Sequence, residues 1–213
     1  MRKPMSVALF LVLVFACGGS GDDRPNAAGS PAGTSAATST AAATATATAR
    51  VNRDCSAATL KNEGPMPQEI PQDVKDVRTE IIQAASRCDF DELGKLAQQG
   101  DDSFNYSFGE SAARDEGDPG RYWEDLEDDD QPVMATLIRV LRLAPRKTSG
   151  DGGDLHVWPA AAAGEPSEKD REAVEAAFKD ENVDEWFTDD GYLGPRAGIT
   201  EEGDWLFYVT GGD

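Results

Sequence analysis

The stretch RAGITEEGDWLFYVT, residues 196–210, decides the fold of this chain. Two runs that favour β-structure, Arg196 to Thr200 and Trp205 to Thr210, flank the polar sequence Glu-Glu-Gly-Asp. Strand-forming runs on either side of a short connection that contains Gly predict a β-hairpin. The second run is apolar at consecutive positions, so it predicts a strand buried on both faces, inside a sheet that helices cover.

Two helices are predicted at the start of the region that precedes this hairpin. Residues 71–87 carry apolar side chains at helical spacing, with Pro71 in the first turn. Asp89 and Glu92 form a capping-box pattern that begins a second helix, which stops at Gly100. The short connection between the two predicts an αα-hairpin.

The sequence predicts further strands and helices in the region that connects the αα-hairpin to the β-hairpin. Phe104, Tyr106 and Phe108 alternate with polar neighbours and predict a half-buried strand. The other predicted elements, in chain order, are a polar loop at 109–120, a short helix at 121–126, a helix from Pro132 to Pro145, a Gly-rich loop at 149–154, a strand at 155–158, a helix capped by Ser167 and Asp170, and an ambiguous segment at 182–187 that suits a further helical turn. This order predicts an α+β domain with about four strands in a sheet packed by three or four helices.

The first fifty residues differ in composition from the rest of the chain. Arg2 and Lys3 precede an apolar run from Met5 to Ala16, which is the pattern of a secretory leader. A helix of about twelve residues rises only about 18 Å, too little to span a hydrocarbon core of about 30 Å. Residues 18–50 are nearly all Gly, Ser, Ala, Thr and Pro, which predicts a disordered tether.

The leader ends in Val14-Phe15-Ala16-Cys17, and this sequence resembles the lipobox of bacterial lipoproteins. The resemblance implies that residues 1–16 are a signal peptide, that cleavage follows Ala16, and that the Cys17 thiol carries lipid with acyl chains such as palmitate. It also implies a membrane anchor outside the cytoplasm, at the outer face of the cell membrane, in the periplasm or at the cell surface. An ordinary secretory leader with a free Cys17 is the alternative.

Residues 51–213 form the predicted folded domain, and this domain is strongly acidic. It holds 38 of the 40 acidic and 16 of the 20 basic residues, which leaves a net charge of −22. Such a field repels phosphate backbones and anionic headgroups, so nucleic-acid binding and adsorption to anionic lipid are both disfavoured. The charge is suited either to solubility on a crowded cell surface or to a cationic partner.

The sequence contains no catalytic, metal-binding or cofactor-binding signature. His156 is the single histidine, which excludes a two-histidine metal site, and its alternation with aliphatic residues predicts a partly exposed strand position. No Gly-x-Ser-x-Gly elbow or phosphate-binding loop occurs. The acidic runs lack the EF-hand spacing, and residues 127–130 suit the N-terminal end of the helix after Pro132. We therefore predict no catalytic residue, no metal and no cofactor.

Cys55 and Cys88 remain as a pair once Cys17 is assigned to lipid. An even pair in an exported domain, without a Cys-x-x-Cys motif, predicts a disulfide, with two free thiols as the alternative. Cys88 is spaced to lie on the same helical face as Val74 and Ile81, so its side chain is expected to point at the core.

An opening helical hairpin followed by sheet resembles the NTF2-like cone fold. That resemblance implies a small-ligand pocket, for which the candidate lining residues are Phe104, Tyr106, Phe108, His156 and Trp158. The ending at 191–209 resembles the tail of uncharacterised exported bacterial proteins, which implies no activity.

Three functional interpretations follow from the sequence. The first is a cell-envelope lipoprotein whose domain is a non-enzymatic binding or accessory module, with an envelope protein or a glycan as partner. The second is an NTF2-like ligand-binding domain, and the third is an enzyme that uses carboxylates, with His156 as a further candidate.

Overall fold

A computed structural model of the chain describes residues 54–60, 69–100, 104–106, 117–150 and 153–210. The predicted signal peptide, the lipidation site Cys17, the tether at 17–50 and Phe108 all lie outside the described residues. In the part that is described, no helix is both long enough and apolar enough to cross a membrane.

The described residues form an α+β fold with five α-helices and a four-stranded antiparallel sheet. The predicted α+β class is confirmed. The five helices are one more than the three or four that the sequence predicted. The helices are α1 (Gln72–Ser86), α2 (Phe90–Ala97), α3 (Pro119–Asp128), α4 (Val133–Arg142) and α5 (Glu168–Ala177). The strands are β1 (Arg146–Gly150), β2 (Gly153–Trp158), β3 (Phe187–Thr188), β4 (Gly191–Tyr192), β5 (Arg196–Thr200) and β6 (Trp205–Val209).

The four-stranded sheet has the order β1-β2-β5-β6, while β3 and β4 pair separately as a small hairpin. Trp158, Ala197 and Tyr208 stand side by side on three neighbouring strands of the sheet, and each is completely buried. Helices α1 and α4 contact β5, and α2 contacts β6. The main core therefore lies between the sheet and these helices.

The hairpin at 196–209 is confirmed, but the position predicted for its second strand is wrong. β6 is an edge strand, and Leu206 and Phe207 are only half-buried. Its outer side is partly covered, because the Asn105 N–H donates to Leu206 O at 3.0 Å and the Tyr208 N–H donates to Asn105 O at 3.1 Å. The apolar run is thus explained by burial against helices on one face and a short segment along one edge.

The predicted strand around Phe104 and Tyr106 is wrong within the described residues. Only Asn105 pairs there, in a single parallel bridge to Phe207. The ambiguous segment at 182–187 forms a 3₁₀ turn, Val183–Trp186, and then enters β3. β1, β3 and β4 are strands that the sequence pattern does not predict.

The predicted disulfide is confirmed: Cys55 and Cys88 are bonded, with their Cα atoms 6.0 Å apart. The bond ties the segment 54–60, which precedes the helical region, to the junction between α1 and α2. Cys55 is also among the buried residues of the core. The N-terminal segment is therefore part of the packed fold.

Cys88 does not lie on the apolar face of α1, as the helical spacing had predicted, because the helix ends at Ser86. Its backbone is in the left-handed region, with φ of 54°. The Cys88 N–H donates to Ala85 O, and the Asp89 N–H donates to Ala84 O. This pattern is the Schellman motif that ends many helices, and it places cysteine where glycine is the usual residue.

A second contact fixes the same N-terminal segment next to the disulfide. The Ser56 N–H and hydroxyl both donate to the Glu127 carboxylate, at 2.9 and 2.5 Å. That carboxylate also accepts from the Met134 N–H at 2.6 Å, and the Ser56 hydroxyl accepts from the Ala135 N–H at 2.9 Å. Glu127 and Ser56 thus each satisfy one N–H group at the start of α4, and an acidic residue is favourable near a helix N-terminus.

Helices α2 and α3 cross where two glycines face each other. A Cβ atom added at Gly120 would lie 2.4 Å from the backbone oxygen of Phe90, whereas one at Gly94 would lie 3.4 Å from its nearest neighbour, the Gly120 backbone. The absence of a side chain at Gly120 therefore sets the close approach of the two helices.

Candidate functional site

Of the residues predicted to line a ligand pocket, Tyr106 and Trp158 lie in the core and Phe104 packs against it. The Phe104 ring lies 4.9 Å from that of Trp205 and 5.9 Å from that of Trp123, both in edge-to-face geometry. The Tyr106 ring lies 5.1 Å from that of Tyr122. Trp158 is completely buried on β2. These aromatic side chains contribute to core packing.

His156 lies on β2 next to a cluster of charged side chains. It stands opposite Lys147 of β1, and the Lys147 Nζ atom lies 2.6 Å from the Asp154 carboxylate and 2.9 Å from that of Glu201. The partly exposed position predicted for this histidine is wrong, since only 5% of the residue is exposed. Its Nε2 atom is buried and has no hydrogen-bond partner in the described part of the chain.

Burial lowers the pKa of His156, because a charged imidazole would lose its hydration. Glu201 and Asp154 oppose this effect, and Lys147 adds to it. The hydrogen bonds from Lys147 and Ser149 hold the pKa of Asp154 at about 2, so that carboxylate is ionised at neutral pH. His156 is therefore a neutral, buried side chain at neutral pH.

We expect the imidazole of His156 to titrate below its ordinary value of about 6.5 in the folded protein, and near 6.5 in urea. NMR can measure this directly, because His156 is the only histidine and its C2–H signal needs no assignment in a protein purified without a histidine tag. A folded-state titration at or above 6.5 would contradict the burial argument.

The same shift predicts a dependence of stability on pH. Between the lower folded-state pKa and 6.5, the unfolded chain binds more protons than the folded one, so the free energy of unfolding falls as the pH drops below about 6.5. Urea denaturation at pH 5 to 7 measures the slope. The matched control is His156→Gln, which should lose the part of the slope that belongs to the imidazole.

The described surface contains a groove of about 720 Å³ that combines aromatic and charged side chains. We call it the α5 groove, because it lies between the segment that leads into α5 and the β3–β4 hairpin. Its lining residues are Ala162, Gly164, Glu165, Pro166, Ser167, Glu168, Arg171, Phe187, Thr188, Asp189, Asp190, Gly191 and Tyr192.

A capping box fixes the wall of the groove that α5 provides. The Ser167 hydroxyl accepts from the Asp170 N–H, and the Asp170 carboxylate accepts from the Ser167 N–H, as the sequence predicted. Asp170 also forms an ion pair with Arg146 of β1, at 2.5 Å. This wall is therefore tied to the sheet.

Aromatic rings form the floor of the α5 groove. The Phe187 and Tyr192 rings lie 5.2 Å apart, and the Tyr192 hydroxyl donates to Pro195 O at 3.2 Å. Burial raises the pKa of Tyr192, so its hydroxyl is a neutral donor. Trp186 packs edge-to-face against Tyr192 with ring centroids 6.4 Å apart, which supports the floor from the side.

Charged side chains surround this floor. The Arg171 guanidinium lies 4.0 Å above the Phe187 ring centroid, a cation–π contact, and 3.3 Å from the Asp184 carboxylate. The rim carries four exposed carboxylates, Glu165 and Glu168 on one wall and Asp189 and Asp190 on the other. The groove thus combines two aromatic rings with an excess of negative charge.

A second cleft, of about 600 Å³, lies between α2 and α3. Its acidic lining residues are Asp91, Asp118, Glu124, Asp125 and Asp128, and its basic ones are Lys95 and Arg121. Over the described ranges, no group of three or more His, Cys, Asp or Glu side chains is arranged to hold a metal ion. This α2–α3 cleft has one aromatic lining residue, Phe90, and no stacked aromatic floor.

The sequence prediction missed the α5 groove. Arg171, Phe187 and Tyr192 come together only through folding, and each is unremarkable in its own segment. The one local signal is Asp189-Asp190-Gly191, since Asp and Gly are typical turn residues and the two aspartates form the loop that joins β3 to β4.

Comparisons with protein-family models, with curated proteins and with solved structures found no match to this chain.

Proposed function

We propose that this chain is a cell-envelope lipoprotein, anchored through lipid on Cys17, whose acidic domain is a non-enzymatic binding or accessory module outside the cytoplasmic membrane. The observation that carries the proposal is the Cys55–Cys88 bond. Disulfides form and persist mainly in oxidising compartments outside the cytoplasm. This bond therefore agrees with the leader and the lipobox-like sequence Val14 to Cys17.

The buried position of His156, the only histidine in the sequence, favours binding over catalysis. A general base needs to reach its substrate, and His156 is buried on the sheet and lines neither the α5 groove nor the α2–α3 cleft. The α5 groove instead combines two aromatic rings with charged side chains in an open depression, which suits contact with another molecule more than catalysis. We assign it as the surface that meets an envelope protein or glycan.

The anchor is tested by Cys17→Ser in a bacterial host that lipidates exported proteins. We expect the wild-type chain in the membrane fraction with the mass of a lipidated protein, because two or three acyl chains hold a protein stably at a bilayer. The Cys17→Ser chain should accumulate unprocessed or in the soluble fraction. Ser20→Ala, three residues further on, is the matched control and should behave as wild type. Wild-type protein that is soluble and unlipidated by mass would refute the anchor.

A further inference from the structure

We propose that the α5 groove binds a basic segment of a partner polypeptide, through its Lys or Arg side chains. This inference rests on the proposed function, since it names the chemical class of the partner that the binding module takes. Three features of the groove support it: the carboxylates at its rim, the apolar side chains in its lining, and the placement of its carboxylates on two elements.

Among the residues that the structure describes, the rim carboxylates have no salt-bridge partner. In the described ranges, no Lys or Arg forms an ion pair with Glu165, Glu168, Asp189 or Asp190. The nearby Arg171 is already paired with Asp184. Like charges gathered around one groove repel, and a bound cation lowers that repulsion.

The floor of the groove suits the stems of basic side chains. Lys and Arg combine an aliphatic stem, which packs on apolar surface, with a charged head that stays at a polar rim. Pro166 and Phe187, both half-buried, line the same groove as the carboxylates and provide its apolar surface. Arg171, stacked 4.0 Å above Phe187, is an example of this geometry within the protein itself.

The placement of the carboxylates favours a peptide over a single small cation. Glu165 belongs to the segment that leads into α5 and Glu168 is the first residue of that helix, whereas Asp189 and Asp190 belong to the hairpin turn. One amine pairs with one or two carboxylates, while a peptide presents several cations to both walls at once. The field of the whole domain also attracts such a segment from a distance, which raises the association rate at low salt.

The experiment measures binding of a fluorescent decapeptide of alternating Lys and Ala to the full chain in non-ionic detergent micelles at low salt, by fluorescence anisotropy. The groove variant is Glu165→Gln, Glu168→Gln, Asp189→Asn and Asp190→Asn together. The matched control neutralises four acids of the α2–α3 cleft, Asp91→Asn, Glu124→Gln, Asp125→Asn and Asp128→Asn, so both variants change the net charge equally. Thermal melting verifies that each variant is folded.

We expect the Kd of the peptide to rise by about tenfold or more in the groove variant and to stay within about twofold in the cleft variant, because several ion pairs are lost only in the first. Equal weakening in both variants would mean that the general field alone binds the peptide, and would overturn the proposal. So would absence of binding to the wild type, or equal binding of a Glu-Ala decapeptide. The assay contains no bilayer, so its result is independent of the test of the lipid anchor.

Discussion

Removal of the Cys55–Cys88 bond is expected to lower the free energy of unfolding by about 3 to 4 kcal/mol. The two residues are 33 positions apart, and closing a loop of that length removes chain entropy from the unfolded state by this amount. Such a loss is a large share of the 5 to 15 kcal/mol that is typical of a domain. The measurement is urea denaturation of wild type and of Cys55→Ala/Cys88→Ala. Alkylation without reductant, followed by mass spectrometry, verifies that Cys55 and Cys88 of the wild type are bonded and take up no label.

The unusual backbone of Cys88 supplies a matched control for this result. Because its φ of 54° suits glycine, Cys55→Ala/Cys88→Gly should be about 1 kcal/mol more stable than Cys55→Ala/Cys88→Ala, although both lack the bond. Equal stability of the two double variants would contradict the left-handed conformation at this position. A wild-type protein with two alkylated thiols would contradict the bond itself.

Gly120→Ala is expected to destabilise the fold by about 3 kcal/mol. The new methyl group would lie 2.4 Å from Phe90 O, and a backbone oxygen cannot move aside by rotating a side chain. The helices α2 and α3 must then separate, which opens the contacts between them, and overpacking of this kind costs up to about 3 kcal/mol. Chemical denaturation compares the variant with wild type.

Gly94→Ala is the matched control on the facing helix. Its added methyl group would meet its nearest neighbour at 3.4 Å, close to ordinary van der Waals contact. Replacing Gly by Ala inside a helix stabilises it by up to about 1 kcal/mol, so the net change should be small or favourable. Equal destabilisation by Gly94→Ala and Gly120→Ala would contradict the difference in space that the structure shows at the two glycines.

Features that depend on neighbouring residues were predictable from the sequence. The Ser167–Asp170 capping box and the Asp89 cap of α2 are local hydrogen bonds, so a residue pattern of three or four positions is enough to indicate them. The β5–β6 hairpin is likewise local. The disulfide was predictable for a different reason, because the assignment of Cys17 to lipid left a single pair.

Features that depend on distant partners were not predictable. The sequence of β1, Arg-Lys-Thr-Ser-Gly, carries no apolar alternation, and it is a strand because it pairs with β2 from Arg146↔Val157 to Gly150↔Gly153. The alternation around Phe104 indicated a strand, yet it reflects packing of single aromatic rings against α3 and β6. Burial of His156 also depends on the folded surroundings of its strand.

The position of the disulfide has a mechanical consequence. Tension applied to the chain upstream of Cys55 passes through the sulfur–sulfur bond to Cys88, at the junction of α1 and α2. The intervening residues 56–87, which include the whole of α1, are bypassed and cannot be stretched by that tension while the bond is intact. In single-molecule pulling, the extension gained on unfolding should therefore increase in a reducing buffer by the length of this segment, about 3.3 to 3.6 Å for each residue released.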